Sequence, residues 1–237
     1  MKLFVSDLHL DPDRPETLEQ FERCLKRYNS TIQELYILGD LFEYWIGDDY
    51  LTASANDTAN LLRTLSERGV TVSFIPGNRD FLIGEQFAAL CGMQRLEDGA
   101  IIDIDGTPTL LCHGDHLCTD DQVYQSIRQE VRDNRWQQAV LAQPIEARLA
   151  LANQARDQSK SHTSQAEEAI MDVNAQAVLD QMASAGVQQM IHGHTHRPAI
   201  HELTVNGQPG RRLVLGDWYS ESNIRVIEDN RLVHPFS

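Results

Sequence analysis

Apolar residues gather in short runs at Leu3–Val5, Leu35–Leu38, Val70–Ile75, Thr109–Cys112, Gln189–Ile191 and Leu213–Leu215, each giving way to Gly, Asp, Asn or His. Runs of this length, bounded by turn formers, predict buried strands that end in polar loops. Between the first three lie segments of helical period. Leu18, Phe21 and Leu25 mark one over Thr17–Tyr28, and Leu61, Leu62 and Leu65 another over Ala55–Arg68. Alternation of strand and helix predicts a largely parallel α/β sheet. Further strands around Ala100–Asp105, Ile200–Val205 and Ile224–Ile227 are accompanied by Asp105-Gly106 and Asn206-Gly207, a hairpin signature, so a second sheet containing antiparallel pairs is expected.

One stretch departs from this pattern. From Gln122 to Met182 there is no strand signal, one proline (Pro144), and helical spacing at Val123, Ile127 and Val131 and at Ile145 and Leu149. It reads as a helical insertion over residues 122–168 of a single domain spanning 1–237. Residues 122–162 carry Arg128, Arg132, Arg135, Arg148, Arg156 and Lys160 against Glu130, Asp133, Glu146 and Asp157, a local positive balance in a chain of net charge -15. A solvated helical face and an anion-binding or membrane-facing face both fit that balance.

The acidic total argues against a protein that coats nucleic acid with positive charge, and suits cation binding. With 41% hydrophobic and 23% charged residues the chain has ordinary globular usage. Cys24, Cys91, Cys112 and Cys118 lack paired metal-ligand spacing and read as reduced thiols. The start, MKLFVSDLHLD, reaches acidic residues too soon for a secretory signal, and no apolar window is long enough to cross a bilayer. The expected compartment is the cytoplasm, and no obligate protein partner is evident.

The residues that follow the predicted strands carry the chemistry: Asp7 and His9, Asp40, Asn78, His113, and His194 and His196. Strand carboxyl ends of an α/β sheet converge on one crevice, so these seven would meet. Seven ligands exceed one ion. Two five- or six-coordinate cations bridged by Asp40 and a water would use all of them, with the mixed imidazole and carboxylate set suiting manganese, iron or zinc.

The ordered motifs D-x-H, G-D, G-N-R-D, H-G-D and G-H-T-H resemble those of the calcineurin-like metallophosphoesterases, and the resemblance covers nearly the whole chain. It implies a sandwich of two mixed sheets flanked by helices. It also implies a first ion held by Asp7, His9, Asp40 and His196, and a second held by Asp40, Asn78, His113 and His194. A metal-free binding scaffold on the same fold is the contrasting reading, and the complete ligand set weighs against it.

Many members of that family have His where Arg79 stands, as a proton donor to an alkoxide leaving group. Arginine cannot give up a proton at neutral pH, whereas a phosphate leaving group needs none. A guanidinium instead clamps phosphate oxygens, which favours a pyrophosphate substrate over a monoester. Pairing of Arg79 with Asp80 is the structural alternative. The longer stretches SDLHL, LGDLFEYWIGDD, PGNRDFLIG, LCHGDHLCTDD, IMDVN and IHGHTHRPAIHEL resemble the branch that acts on a lipid-linked nucleotide sugar. This narrower resemblance implies hydrolysis of UDP-2,3-diacylglucosamine to UMP and 2,3-diacylglucosamine 1-phosphate in lipid A synthesis. It further implies two Mn²⁺ and a place on the cytoplasmic face of the inner membrane. Its catalytic positions match Asp40, Asn78 and Arg79, and its substrate contacts match Asn78, Arg79, Asp121, Ser159, Thr163 and His194. A lysine of some relatives is replaced by Ala166, with Lys160 nearby in sequence. A general nucleotide pyrophosphatase with a water-soluble substrate is the competing enzyme.

Periodicity alone places Val123, Ile127 and Val131 in a core. Tyr44, Trp45 and Trp218 read as packing residues, His116, His162, His192 and His201 as structural or surface histidines, and Asp115 and His116 also as partners that orient ligand imidazoles. Arg128, Arg132, Arg135, Arg148 and Arg156 are expected at a lipid surface.

Overall fold

A computed structural model describes residues 1–165 and 172–236, with the side chains of 159–165 outside the description. The chain runs β1 (Lys2–Val5), α1 (Pro15–Arg27), β2 (Glu34–Leu38), α2 (Ala53–Glu67), β3 (Thr71–Ile75), α3 (Glu85–Cys91), β4 (Met93–Arg95), β5 (Ala100–Ile104) and β6 (Thr107–Leu111). It continues through α4 (Gln122–Val131), α5 (Asn134–Leu141), α6 (Ile145–Gln165), α7 (Ala175–Ala185), β7 (Gln189–His192), β8 (Ala199–Val205), β9 (Gln208–Val214), β10 (Val226–Glu228) and β11 (Arg231–Val233).

Two mixed sheets result. The first has six strands in the order β11-β10-β1-β2-β3-β4 and the second five in the order β5-β6-β7-β9-β8. β1 to β4 are parallel, as are β6, β7 and β9, while β10, β5 and β8 pair antiparallel to their neighbours. The period of two decides which face each side chain covers. Phe4, Tyr36, Leu38 and Ile75 of the first sheet pack with Ile104, Leu111, Ile191 and Leu213 of the second to form the centre of the sandwich. Their alternates Leu3, Val5, Leu35, Ile37 and Phe74 turn the other way, onto Phe21, Leu25, Leu62, Leu65 and Phe87 of α1, α2 and α3. On the far side of the second sheet, Leu110 and Met190 bury Val178 and Met182 of α7.

The predicted hairpins at Asp105-Gly106 and Asn206-Gly207 join β5 to β6 and β8 to β9. The expected strand at Ile224–Ile227 begins two residues later, because Ile224 closes a 3-10 turn. The short α3, β4 and β11 lack a periodic run long enough to be read in sequence.

Helices α4 and α5 contribute no buried residue. Val123 and Ile127 are 62% and 49% exposed, which overturns their placement in a core. The period of α4 is real, but its apolar stripe faces outward and its polar stripe faces the body.

Candidate active site

The candidate ligands stand where the polypeptide leaves its parallel strands. Asp7 and His9 follow β1, Asp40 follows β2, Asn78 and Arg79 follow β3, His113 follows β6, and His194 and His196 follow β7. Both sheets therefore feed one rim of the sandwich. Backbone bonds lace the loops together: the Asp7 amide donates to the Gly39 carbonyl at 3.1 Å, His9 to Asp40 at 2.9 Å, and Gly193 to His113 at 3.0 Å.

This lacing forces an uncommon backbone. Asp7, His9, Asp40, His194 and His196 have φ of 54°, 49°, 52°, 67° and 57°. Left-handed conformation disfavours any residue with a Cβ, and its concentration here marks a site where geometry outranks local stability. Two glycines give way to the ligands. A Cβ on Gly77 would lie 2.1 Å from Asp40 Oδ1, and one on Gly193 would lie 2.3 Å from Asp7 Oδ2.

All seven residues come together. Asp40 Oδ2 lies 3.7 Å from His9 Nε2, and Asp40 Oδ1 lies 3.7 Å from His113 Nε2. On one side, His9 Nε2 is 3.3 Å from His196 Nε2, which is 3.4 Å from Asp7 Oδ1. On the other, Asn78 Oδ1 is 2.9 Å from His113 Nε2 and 3.0 Å from His194 Nδ1. Asp40 thus faces two sets, Asp7-His9-His196 and Asn78-His113-His194.

The acceptors behind these side chains test whether cations fit. His9 Nδ1 faces Glu43 Oε2 at 3.0 Å, His113 Nδ1 faces the Leu38 carbonyl at 2.9 Å, and His196 Nδ1 faces Asp217 Oδ2 at 3.6 Å. Each outer acceptor calls for the proton on Nδ1, so three Nε2 lone pairs point inward beside two carboxylates. Lone pairs facing lone pairs repel unless a cation lies among them, and this donor set fits divalent d-block ions. Without one, a proton takes part of that role: burial lowers the pKa of His113, yet the Asp40, Asp7 and Asp115 carboxylates outweigh it and raise it to about 9. Burial and the neighbouring His113 push His194 down to about 4.

Asp80 is fully buried and accepts from the backbone amides of Gly77 at 2.8 Å and Leu41 at 2.7 Å, which ties the G-N-R-D loop to the G-D loop. The Arg79 amide donates to Asp40 Oδ1 at 2.8 Å. The Arg79 side chain acts electrostatically on Glu43 and Tyr219, so its charge is felt on the His9 side of the site. Asp121 is buried at the N-cap of α4, accepting from the Tyr124 amide at 2.9 Å. Ser159 and Thr163 lie on α6 with side chains outside the described residues, as does that of Lys160, and Ala166 lies outside them altogether.

Glu43, Asp217 and Tyr219 were not anticipated from sequence. Tyr219 stacks on His9 with ring centroids 4.9 Å apart, and its hydroxyl donates to Glu43 Oε2 at 3.0 Å. A signal existed for two of them: Glu43 follows the L-G-D motif by three residues, and Gly216-Asp217 repeats the strand-then-G-D pattern after β9. Asp115 and His116, expected to orient ligand imidazoles, bond elsewhere. Asp115 Oδ2 accepts from Arg128 Nε at 2.7 Å and from the Tyr124 hydroxyl at 2.8 Å, while His116 faces Asp98 Oδ2 at 3.3 Å and Gln181 Oε1 at 2.8 Å. Trp45 and Trp218 are buried packing residues, as expected, and His192 is buried at the end of β7.

The arginines of the helical stretch also turn inward. Arg128 joins Asp115 and Asp98, Arg132 donates to the Gly77 carbonyl at 2.9 Å, and Arg148, 3% exposed, pairs with Asp49. Arg156 reaches Asp11 and Glu43, both at 3.3 Å. Of the five only Arg135, 91% exposed, faces solvent freely enough to meet a lipid surface. The local positive balance compensates buried carboxylates of the body.

A fold of two mixed sheets with Asp, Asn and His from five strand ends on one rim is that of a phosphoesterase. The chain belongs to the calcineurin-like phosphoesterase family, whose profile matches residues 3–198. Within it, the chain is similar to proteins named UDP-2,3-diacylglucosamine hydrolase. The one from Stenotrophomonas maltophilia K279a is 48% identical over 233 residues, covering 95% of this chain and 94% of that protein. Those from Cellvibrio japonicus and Marinobacter nauticus are 48% and 46% identical, covering 92% and 97% of this chain and 91% and 93% of their own lengths.

Proposed function

We propose that the chain hydrolyses the pyrophosphate of UDP-2,3-diacylglucosamine to UMP and 2,3-diacylglucosamine 1-phosphate. The observation that carries this reading is the pair of ligand sets sharing Asp40, with Arg79 in place of a proton donor beside them. Asp7, His9, Asp40 and His196 would hold one cation, and Asp40, Asn78, His113 and His194 the other. Two bound Mn²⁺ would supply Lewis-acid polarisation of phosphoryl oxygens and an activated water.

The chain's own residues do the rest. Glu43, Asp217 and the Leu38 carbonyl keep the imidazole protons outward. Asn78 and Arg79 contact the phosphates, the guanidinium offsetting charge that builds as the diphosphate bridge breaks. The departing phosphate leaves as an anion, so no proton need reach it. The helical insertion would act as a cap on the domain, and the substrate positions implied at Asp121, Ser159, Thr163 and His194 would serve the sugar and its phosphate. Val123, Ile127, Leu141 and Leu151, all at least 40% exposed, give that cap an apolar surface for acyl chains and for peripheral contact with the inner membrane from the cytoplasmic side. Contact of this kind is driven by burial rather than by arginine. Among the described residues no helix is long and apolar enough to cross a membrane.

Chelation followed by graded return of Mn²⁺ tests the reading. Activity on UDP-2,3-diacylglucosamine should vanish on chelation and return as two ions bind, with UDP-N-acetylglucosamine a far poorer substrate. Turnover that survives complete metal removal, or equal turnover of both substrates, would overturn it.

A further inference from the structure

Helix α4 is attached to the body in an unusual way. Its apolar residues Val123 and Ile127 face outward. Tyr124, Arg128 and Arg132, four residues apart and so on one face, all turn toward the buried carboxylate of Asp115. The Tyr124 hydroxyl lies 2.8 Å, Arg128 Nε 2.7 Å and Arg132 Nη2 3.7 Å from Asp115 Oδ2. Apolar packing usually seats a helix; here charge-assisted bonds to one carboxylate do so.

The same side chains continue into the site. Arg132 Nη2 donates to the carbonyls of Gly77 at 2.9 Å and Pro76 at 3.4 Å, the two residues that precede Asn78 and Arg79, and its guanidinium lies over the ring of Phe81 at 5.2 Å. Arg128 Nη2 bonds Asp98 Oδ2 at 3.2 Å, and Asp98 Oδ1 accepts the His113 amide at 3.0 Å. Asp98, Asp115 and His116 could together approach a cation. Arg128 and Arg132 already supply that positive charge, so the cluster is an ion-pair network rather than a third metal site.

We infer that Asp115, Arg128 and Arg132 are positioning residues that fix the loop of Asn78 and Arg79, and the loop of His113, to helix α4. Placement of the cap and placement of the phosphate-handling residues then change together. The consequence for rate rests on the proposed hydrolysis, whereas the locking of the loops stands on the geometry alone. A displacement of an ångström in such groups is enough to slow a reaction about a hundredfold.

Arg132→Gln and Arg132→Lys, with Arg135→Gln as a control, decide it in the intact chain. Hydrogen exchange is followed at the amides of Gly77 and Arg79, and steady-state kinetics are measured with Mn²⁺ and detergent-dispersed UDP-2,3-diacylglucosamine. Arg132→Gln is expected to speed exchange at those amides and to lower kcat about tenfold or more, with KM changed less than about threefold. Lysine, able to reach one carbonyl, should recover part of both, and it carries the same comparison if the glutamine variant fails to fold. Arg135→Gln should match the native chain. A raised KM at unchanged kcat, or a lowered kcat without faster exchange, overturns the inference. Absence of turnover in the native chain would remove the proposed substrate while leaving the exchange result to judge the locking.

Discussion

Five of the seven candidate ligands hold a left-handed backbone, and the cost of that conformation is borne by the metal-free protein. For a residue with a Cβ it is roughly 1–2 kcal/mol, so the site is a store of strain that bound cations hold in a useful form. Comparing two truncations at one position isolates this term. Asp40→Ala and Asp40→Gly both lose the carboxylate and should both lose metal and activity by orders of magnitude. The glycine variant is nevertheless expected to be the more stable by about 1 kcal/mol, net of glycine's greater freedom in the unfolded chain. Urea denaturation of the two metal-free variants measures the difference, and equal midpoints would show that φ of 52° at Asp40 is not strained. The convergence of the seven candidate ligands was legible in the sequence because each is a chemically distinctive residue directly after a strand. Glu43 was not, since its place three residues after the L-G-D motif does not distinguish a solvated glutamate from one that faces an imidazole.

At the level of elements, strand positions and hairpins were read well, because a buried strand is continuously apolar and Asp-Gly or Asn-Gly marks its return. Helix α4 was misread for a physical reason. Helical period shows that one face is apolar but not which way that face points, and the direction is set by the buried Asp115, in the turn just before the helix, and by Asp98 on the loop before β5. Four of the five arginines were misread likewise, Arg135 excepted: local charge balance cannot reveal the carboxylates they turn to. His116 joins these elements, bridging Asp98 and Gln181 of α7. Burial lowers its pKa, but the neighbouring Asp115 and Asp98 carboxylates outweigh that and raise it to about 10. A histidine with its pKa raised on folding stabilises fully below its unfolded pKa of about 6.5 and loses that contribution as pH rises through the folded value. Stability of the metal-free chain should therefore decline between about pH 6.5 and 10, His113 adding to the decline up to about pH 9, and His116→Gln should reduce that slope without abolishing it. Chemical denaturation at several pH values checks it, and an unchanged slope in the variant would place the titration elsewhere.

Over the whole molecule, the net charge of -15 and the outward apolar residues of the helical insertion make opposite demands on contact with a membrane. An acidic body is repelled by anionic lipid within the screening length of roughly 10 Å, whereas Val123, Ile127, Leu141 and Leu151 gain only on contact. The exposed side chains of α4 to α6 have a calorimetric consequence. Water ordered around them is released when an acyl chain covers them, and the heat capacity falls in proportion to the apolar area removed. Titration of the metal-free chain at several temperatures should give a clearly negative ΔCp with the diacylated nucleotide sugar and a far smaller one with UDP-N-acetylglucosamine. Affinity for the lipid substrate then passes through a maximum at the temperature where the binding enthalpy crosses zero.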